Sequence, residues 1–106
     1  MVSFNDFTKM DLRIAKIISV EDHPNADNLY LLKADIGEKA IELVAGLKNY
    51  YSPQELQGKK IVVLINLEPK KIRGVESQGM LLAAQSEQMV SLITPDKELN
   101  VGSRIR

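Results

Sequence analysis

"SPQELQGKKIVVLI", Ser52 to Ile65, is the stretch on which the fold turns. Ser52 can cap a helix, Pro53 suits the first helical position, and Glu55 completes a capping box. Gly58 ends the helix after little more than one turn. Lys60 to Ile65 then reads as a β-branched run long enough for a buried strand. A helix this short, placed between two strands, is a connector and not a layer of its own.

Working back from it, Ala40 to Ala45 reads as a strand closed by Gly46, and Gly37–Glu38–Lys39 as the tight turn before it. Leu29 to Ile36 puts Tyr30, Leu32, Ala34 and Ile36 on one face, the period of a half-buried strand. In Asp11 to Val20, Leu12, Ile14, Ile18 and Val20 alternate, with a slip of phase near Lys16–Ile17 that predicts a bulge or strong bend. "EDHPNADN" between these strands is a turn-rich loop. Ser3 to Met10 reads as a helical turn capped by Ser3, with Asp6 three residues on. Forward of the helix, Asn66 to Gly79 is broken by Pro69 and Gly74. Met80 to Ala84 and Met89 to Ile93 are the last clear strands, and "TPDKELNVGSRIR" closes the chain in turns with room for one short final strand.

Short strands with one brief helix after the third predict an all-β fold. The fit is an OB-fold, a five-stranded Greek-key barrel with its helix between strands 3 and 4 and extra terminal segments. Periodicity alone also allows another small barrel. The expected organisation is one domain over residues 1–106, with residues 1–10 as an N-terminal helical turn and 94–106 as a C-terminal segment.

With 106 residues the chain can bury a core unaided. It has no Cys and a single histidine, His23, which excludes a disulfide framework, a thiol nucleophile and a His-rich metal site. No apolar run approaches the ~20 residues of a membrane span, and the first residues lack a signal-peptide pattern. No membrane is expected, and a cytoplasmic location is. "GVESQG", Gly74 to Gly79, matches neither a nucleophile elbow, since Val75 stands two residues before Ser77, nor a phosphate loop, since Met80 and Leu81 follow Gly79. His23 beside Pro24 reads as a turn residue that packs or caps locally. Glu21, Asp22 and Asp27 fit no calcium loop. No catalytic residue, metal or cofactor is expected.

Charge is uneven. The chain carries 14 basic and 14 acidic side chains, yet residues 59–80 hold five basic against two acidic, and residues 1–58 six basic against nine acidic. Lys70, Lys71 and Arg73 lie beside Gly74 and Gly79, where a nucleic-acid backbone can come close. Ser77 and Gln78 add neutral hydrogen-bonding groups, and Met80 either packs at a strand start or offers a base an apolar contact. With two Phe, three Tyr and no Trp, the chain is poor in stacking aromatics. That points to a structured RNA recognised by shape and backbone.

"DLRIAKI", "HPNADNLY", "VAGLKNYYSPQEL" and "NLEPKKIRGVESQGMLLAA" together resemble the tRNA-binding domain family, over about residues 5–106. Members of that family occur appended to methionyl-tRNA synthetases, as separate β subunits of them, and as free-standing dimeric tRNA-binding proteins. The resemblance implies an OB barrel and tRNA as partner, with the catalytic subunit of the synthetase as a second possible partner. By position it implies an RNA face of Asn66, Lys70, Lys71, Arg73, Ser77 and Met80, with Arg13, Lys16 and Gln78 as lesser candidates. It also implies a homodimer through the chain ends, which makes 94–106 a dimerisation segment burying Leu99, Val101 and Ile105. Glu68 and Asn28 stand where the family often has Lys. The alternative is a dimeric peptide-binding chaperone of the same fold.

Overall fold

The computed structural model describes residues 1–106. Its elements are α1 (Phe4–Thr8), β1 (Leu12–Asp22), β2 (Tyr30–Asp35), β3 (Ala40–Ala45), α2 (Pro53–Leu56), β4 (Lys60–Leu64), β5 (Lys70–Ile72), β6 (Val75–Ser77), β7 (Met80–Leu81), β8 (Ala83–Ser86) and β9 (Met89–Leu92). Five antiparallel strands in the order β3-β2-β1-β4-β7 curl into a nearly closed barrel. Two further pairs, β5–β6 and β8–β9, stand beside it. No helix is long and apolar enough to cross a membrane.

The barrel is filled by alternate residues of its strands. Ala15, Ile17, Leu32, Ala34, Leu43, Ile61 and Val63 are almost wholly inaccessible, and Leu56 of α2 joins the same core. That burial drives closure. The capping box at Ser52 and Glu55 forms as expected, and Gly58 takes φ +82. At Ser3 only half a box is made: its hydroxyl accepts from the Asp6 amide.

The slip in β1 and the short helix are one junction. Pairing to β2 jumps between Ile17 and Ser19, so Ile18 is the extra residue, one or two positions later than the phase slip suggested. Its carbonyl, left without a strand partner, accepts from the Gln57 side-chain amide at 2.7 Å, while the Gly58 amide donates to the Ile17 carbonyl at 2.8 Å. The bulge lets one long strand leave β4 and take up β2.

Two expectations change, and the short final strand of the tail is a single pairing, Arg104 to Arg13. Asn66 to Gly79 is not all turn, since it contains the ribbon β5–β6. Met80 to Ala84 is two strands: β7 pairs with β4, and after Leu82 the chain turns to pair with β9. The C-terminal tail is ordered by its own barrel. The Gly102 amide donates to the Ile14 carbonyl at 2.7 Å, Ile14 to Ser103 at 2.8 Å and Ile105 to Leu12 at 2.9 Å. The tail thus covers the edge of β1 that β2 leaves free. Ile105 packs with Phe7 and Leu82 over Leu12, Ile14, Val62 and Leu64, a second small core outside the barrel.

Candidate nucleic-acid interface

The ribbon β5–β6 turns through Arg73 and Gly74 at φ +53 and +88. Positive φ at both central residues gives the turn whose twist suits a two-residue hairpin. Gly74 takes it freely, whereas Arg73 is held there. Pairing is Lys70 to Ser77, Lys71 to Glu76 and Ile72 to Val75. Side-chain alternation puts Lys70, Ile72, Val75 and Ser77 on one face and Lys71 and Glu76 on the other. The first face turns to the barrel: Ile72 and Val75 are half-buried and Ser77 is buried. The two lysines therefore stand on opposite sides of the ribbon, and both are exposed.

The loop after β1 holds the ribbon tip. The Asn25 amide donates to His23 Nδ1 at 2.9 Å, so Nδ1 is the acceptor and Nε2 carries the proton. Nε2 then donates to the Ile72 carbonyl at 3.0 Å. Asn25 Nδ2 donates to the Arg73 carbonyl at 3.2 Å, and the Arg73 guanidinium returns a bond to the Asn25 carbonyl at 3.0 Å. His23 packs and bonds as a turn residue, but its partner is 49 residues away. Replacing His23 with Ala is expected to speed amide exchange at Ile72 and Val75 by about tenfold, the effect of a lost buried hydrogen bond, and to leave β1–β4 amides unchanged. Equal exchange in the ribbon would show that the clamp contributes nothing.

The other sequence-chosen residues divide. Ser77 Oγ accepts from the Val44 amide and donates to the Gly79 carbonyl, both at 3.0 Å, so it ties the ribbon to β3. Asn66 is likewise engaged: Oδ1 accepts from the Asp11 amide at 2.8 Å and Nδ2 donates to the Lys9 carbonyl at 2.7 Å. Arg13 grips Asp11 with two bonds of 2.6 and 3.0 Å, and Arg104 approaches the same carboxylate. Lys16 lies across from Lys60, which pairs with Glu98, away from the ribbon. Gln78 bonds β3 twice, through its amide to the Glu42 carbonyl and through Oε1 from the Glu42 amide. Met80 is 46% exposed where β7 meets Leu64. Lys70, Lys71, Arg73 and Met80 thus present groups outward, and Asn66, Ser77 and Gln78 hold the backbone beneath them. His23 and Asn25 were missed as site residues, although the Asn-containing loop of "HPNAD" was the signal.

Three carboxyls are held below their usual range: Asp11 by its hydrogen bonds and charge pairing with Arg13, Glu98 by its bond to Lys60, and Glu55 by the Ser52 backbone and hydroxyl. A lowered folded-state pKa adds stability above the unfolded value, which is lost as pH falls through the folded one. Thermal melts are expected to be flat from neutral pH to about 5 and to fall below about 4. A midpoint unchanged to about pH 3 would remove these pairs from the stability account.

The strand face beside the ribbon has the opposite charge. A cavity of about 120 Å³ there is lined by Glu21, Glu42 and Glu76, with Lys33 the one basic side chain. An anion is repelled on that side of the ribbon.

The family model for a tRNA binding domain matches residues 12–104. The chain belongs to the tRNA binding domain family. As a tRNA binding domain it is 61% identical over 105 residues to the methionine–tRNA ligase of Thermococcus kodakarensis, covering 99% of this chain and 14% of that one. Among solved structures, the domain matches a MetRS related protein from Pyrococcus horikoshii at TM-score 0.92 and 34% identity, over 100% of this chain and 98% of that one. It matches the CsaA chaperone protein of Picrophilus torridus at the same TM-score and identity, over 100% of both. The OB-type barrel is thus shared by relatives named for two different tasks.

Proposed function

We propose that this domain binds folded tRNA through the ribbon β5–β6 and the barrel end beneath it, as the non-catalytic tRNA-holding segment or subunit of a cytoplasmic methionyl-tRNA synthetase. The observation that carries the reading is the exposed basic ribbon, pinned by His23 and Asn25, in a chain 61% identical to part of such a ligase. Lys70, Lys71 and Arg73 supply charge for phosphates and Met80 an apolar contact. Asn66 and Ser77 act by positioning, as do the backbone amide and Oε1 of Gln78. No aminoacylation is expected from the domain alone. Joined to the catalytic body it adds binding energy for tRNA. The equal likeness to a chaperone supports a second reading, in which an unfolded peptide is the ligand. Titration with folded tRNA, an unstructured RNA of equal length and an unfolded peptide separates them. Preference for folded tRNA is expected, and peptide binding that tRNA cannot displace would reverse the reading.

The domain is also proposed to pair with a second copy. Phe4 and Met10, 79% and 38% exposed, line an apolar groove of about 270 Å³ with Phe7 and Ile105. Of the tail residues expected at an interface, Ile105 reaches this groove, Val101 is half-buried and Leu99 is 42% exposed. The shared surface therefore includes α1 as well as the tail. Light scattering is expected to give about twice the chain mass. Phe4→Glu, at a residue 79% exposed, is expected to return it to 11.9 kDa. An undiminished dimer in that variant would place the interface elsewhere.

A further inference from the structure

A cavity of about 280 Å³ opens at the barrel end between the β2–β3 turn and the β4–β5 connection. Its floor is apolar: Ile36 and Ile41 are 1% and 4% exposed, and Ile65 packs on the same core. Leu67, 44% exposed, and Pro69 form one wall. Three polar side chains, Glu38, Lys39 and Gln78, complete the lining. The Gln78 amide has a determined orientation. The Glu42 amide can only donate, so the atom 2.7 Å from it is Oε1, and the –NH2 group remains as a donor.

We propose that this cavity receives one unpaired nucleobase of the bound RNA; the proposal rests on the tRNA reading above. A base is a flat apolar body with donors and acceptors on its edge. The cavity answers with an aliphatic floor, an ammonium and an amide donor, and a carboxylate acceptor. An aliphatic peptide side chain would match the floor and leave all three polar groups without partners. Position favours RNA as well. Pro69 precedes Lys70, so a strand whose phosphate meets Lys70 has its base within reach of the cavity. The acidic patch of Glu21, Glu42 and Glu76 turns the backbone away from the neighbouring face of β1, β2 and β3. The basic ribbon then supplies attraction without sequence information, and the cavity requires that an unpaired base be present at a fixed distance from it.

The test uses the full chain and a series of tRNAs, each with one unpaired nucleotide made abasic. Removing one particular base is expected to weaken wild-type binding about tenfold with the salt slope unchanged. Gln78→Glu keeps an oxygen for the Glu42 amide and replaces the donor by a carboxylate. It is expected to weaken intact tRNA and to be insensitive to the same abasic change, so that the two losses do not multiply. Leu67→Trp, which covers the mouth without adding charge, should give the same non-additivity, and serves if Gln78→Glu fails to fold. Wild-type binding indifferent to every abasic position, or losses that multiply in both variants, would overturn the proposal while leaving tRNA binding in place. Failure of wild type to bind intact tRNA would remove both readings at once. Displacement of tRNA by an unfolded peptide in wild type but not in Leu67→Trp would assign the cavity to a peptide and overturn the base pocket.

Discussion

Replacing Lys70 and Lys71 together with Gln is expected to lower tRNA affinity about a hundredfold near 50 mM salt and to reduce the salt slope by about 1.4–1.8. Each phosphate neutralised contributes about 0.7–0.9 to that slope, and over the ~1.3 decades between 1 M and 50 mM this amounts to roughly tenfold per contact. Neither ammonium is engaged in an ion pair within the fold, so the loss reads out RNA contact and not stability. The single variants carry the sharper information, because the lysines stand on opposite faces of the ribbon. If the ribbon enters an RNA groove between two backbones, each single change gives about half the double effect on the slope. If it lies flat on one backbone, one lysine carries the whole effect and the other none. Arg73 belongs in a separate experiment, since its guanidinium also bonds the Asn25 carbonyl and its loss mixes contact with ribbon placement. An unchanged slope in the double variant, with an unaltered melt, would move the RNA surface off the ribbon.

Gly79→Ala is expected to destabilise the domain by about 1–3 kcal/mol, the range for forcing atoms into a packed site. For a domain of this size that lowers the melting midpoint by roughly 4–20 °C. A Cβ at Gly79 would stand 2.7 Å from the Leu64 carbonyl oxygen and 3.4 Å from side-chain carbons of Ile41 and Leu43. The carbonyl is backbone of β4, so the seam between β4, β7 and β3 must open for the methyl group to fit. The adjoining Gln78 amide bonds Glu42 across that seam, and Ser77 bonds Val44. Opening it therefore disturbs the ribbon base as well, and tRNA affinity is expected to fall alongside stability. Gly46→Ala is the control: like Gly79 it lies outside the positive-φ region, and a Cβ there meets only a Leu29 side-chain carbon at 3.7 Å, an ordinary contact. Melts of Gly79→Ala no lower than those of Gly46→Ala would show that the seam has slack.

Much of the fold could be read in order along the chain. Capping at Ser52, the turn at Gly37 and the alternation of Tyr30, Leu32, Ala34 and Ile36 are local signals, each set by neighbours within a few residues. The resemblance of "NLEPKKIRGVESQGM" directed attention to the segment that forms the exposed basic ribbon. The ribbon inside it escaped because two three-residue strands carry too little periodicity, although Arg73–Gly74 between Ile72 and Val75 is a two-residue hairpin turn. Asn66 was read as an RNA contact from the resemblance alone, and Ser77 also because polar groups beside basic ones suit phosphate. Their hydrogen bonds to Asp11, Lys9 and Val44 join segments 33 to 57 residues apart, and no window of sequence contains both ends.

By itself, the sequence determined the order of the first four strands, the helix between strands 3 and 4, the face of β2 that fills the barrel and the concentration of positive charge near residue 70. These depend on backbone geometry and side-chain period, which act over a few residues. In β1, by contrast, the bulge puts Ala15 and Ile17 in the barrel in place of the expected Leu12, Ile14 and Ile18. Only the tertiary structure decided which polar side chains remain available. Closure of the barrel consumes Asn66, Ser77 and one end of Gln78, sets His23 and Asn25 under the ribbon tip, and separates Lys70 from Lys71 across two faces. It also binds the tail to β1. A side chain's hydrogen-bonding capacity is limited, and whether the fold or a ligand takes it depends on which distant backbone groups closure brings within about 3 Å.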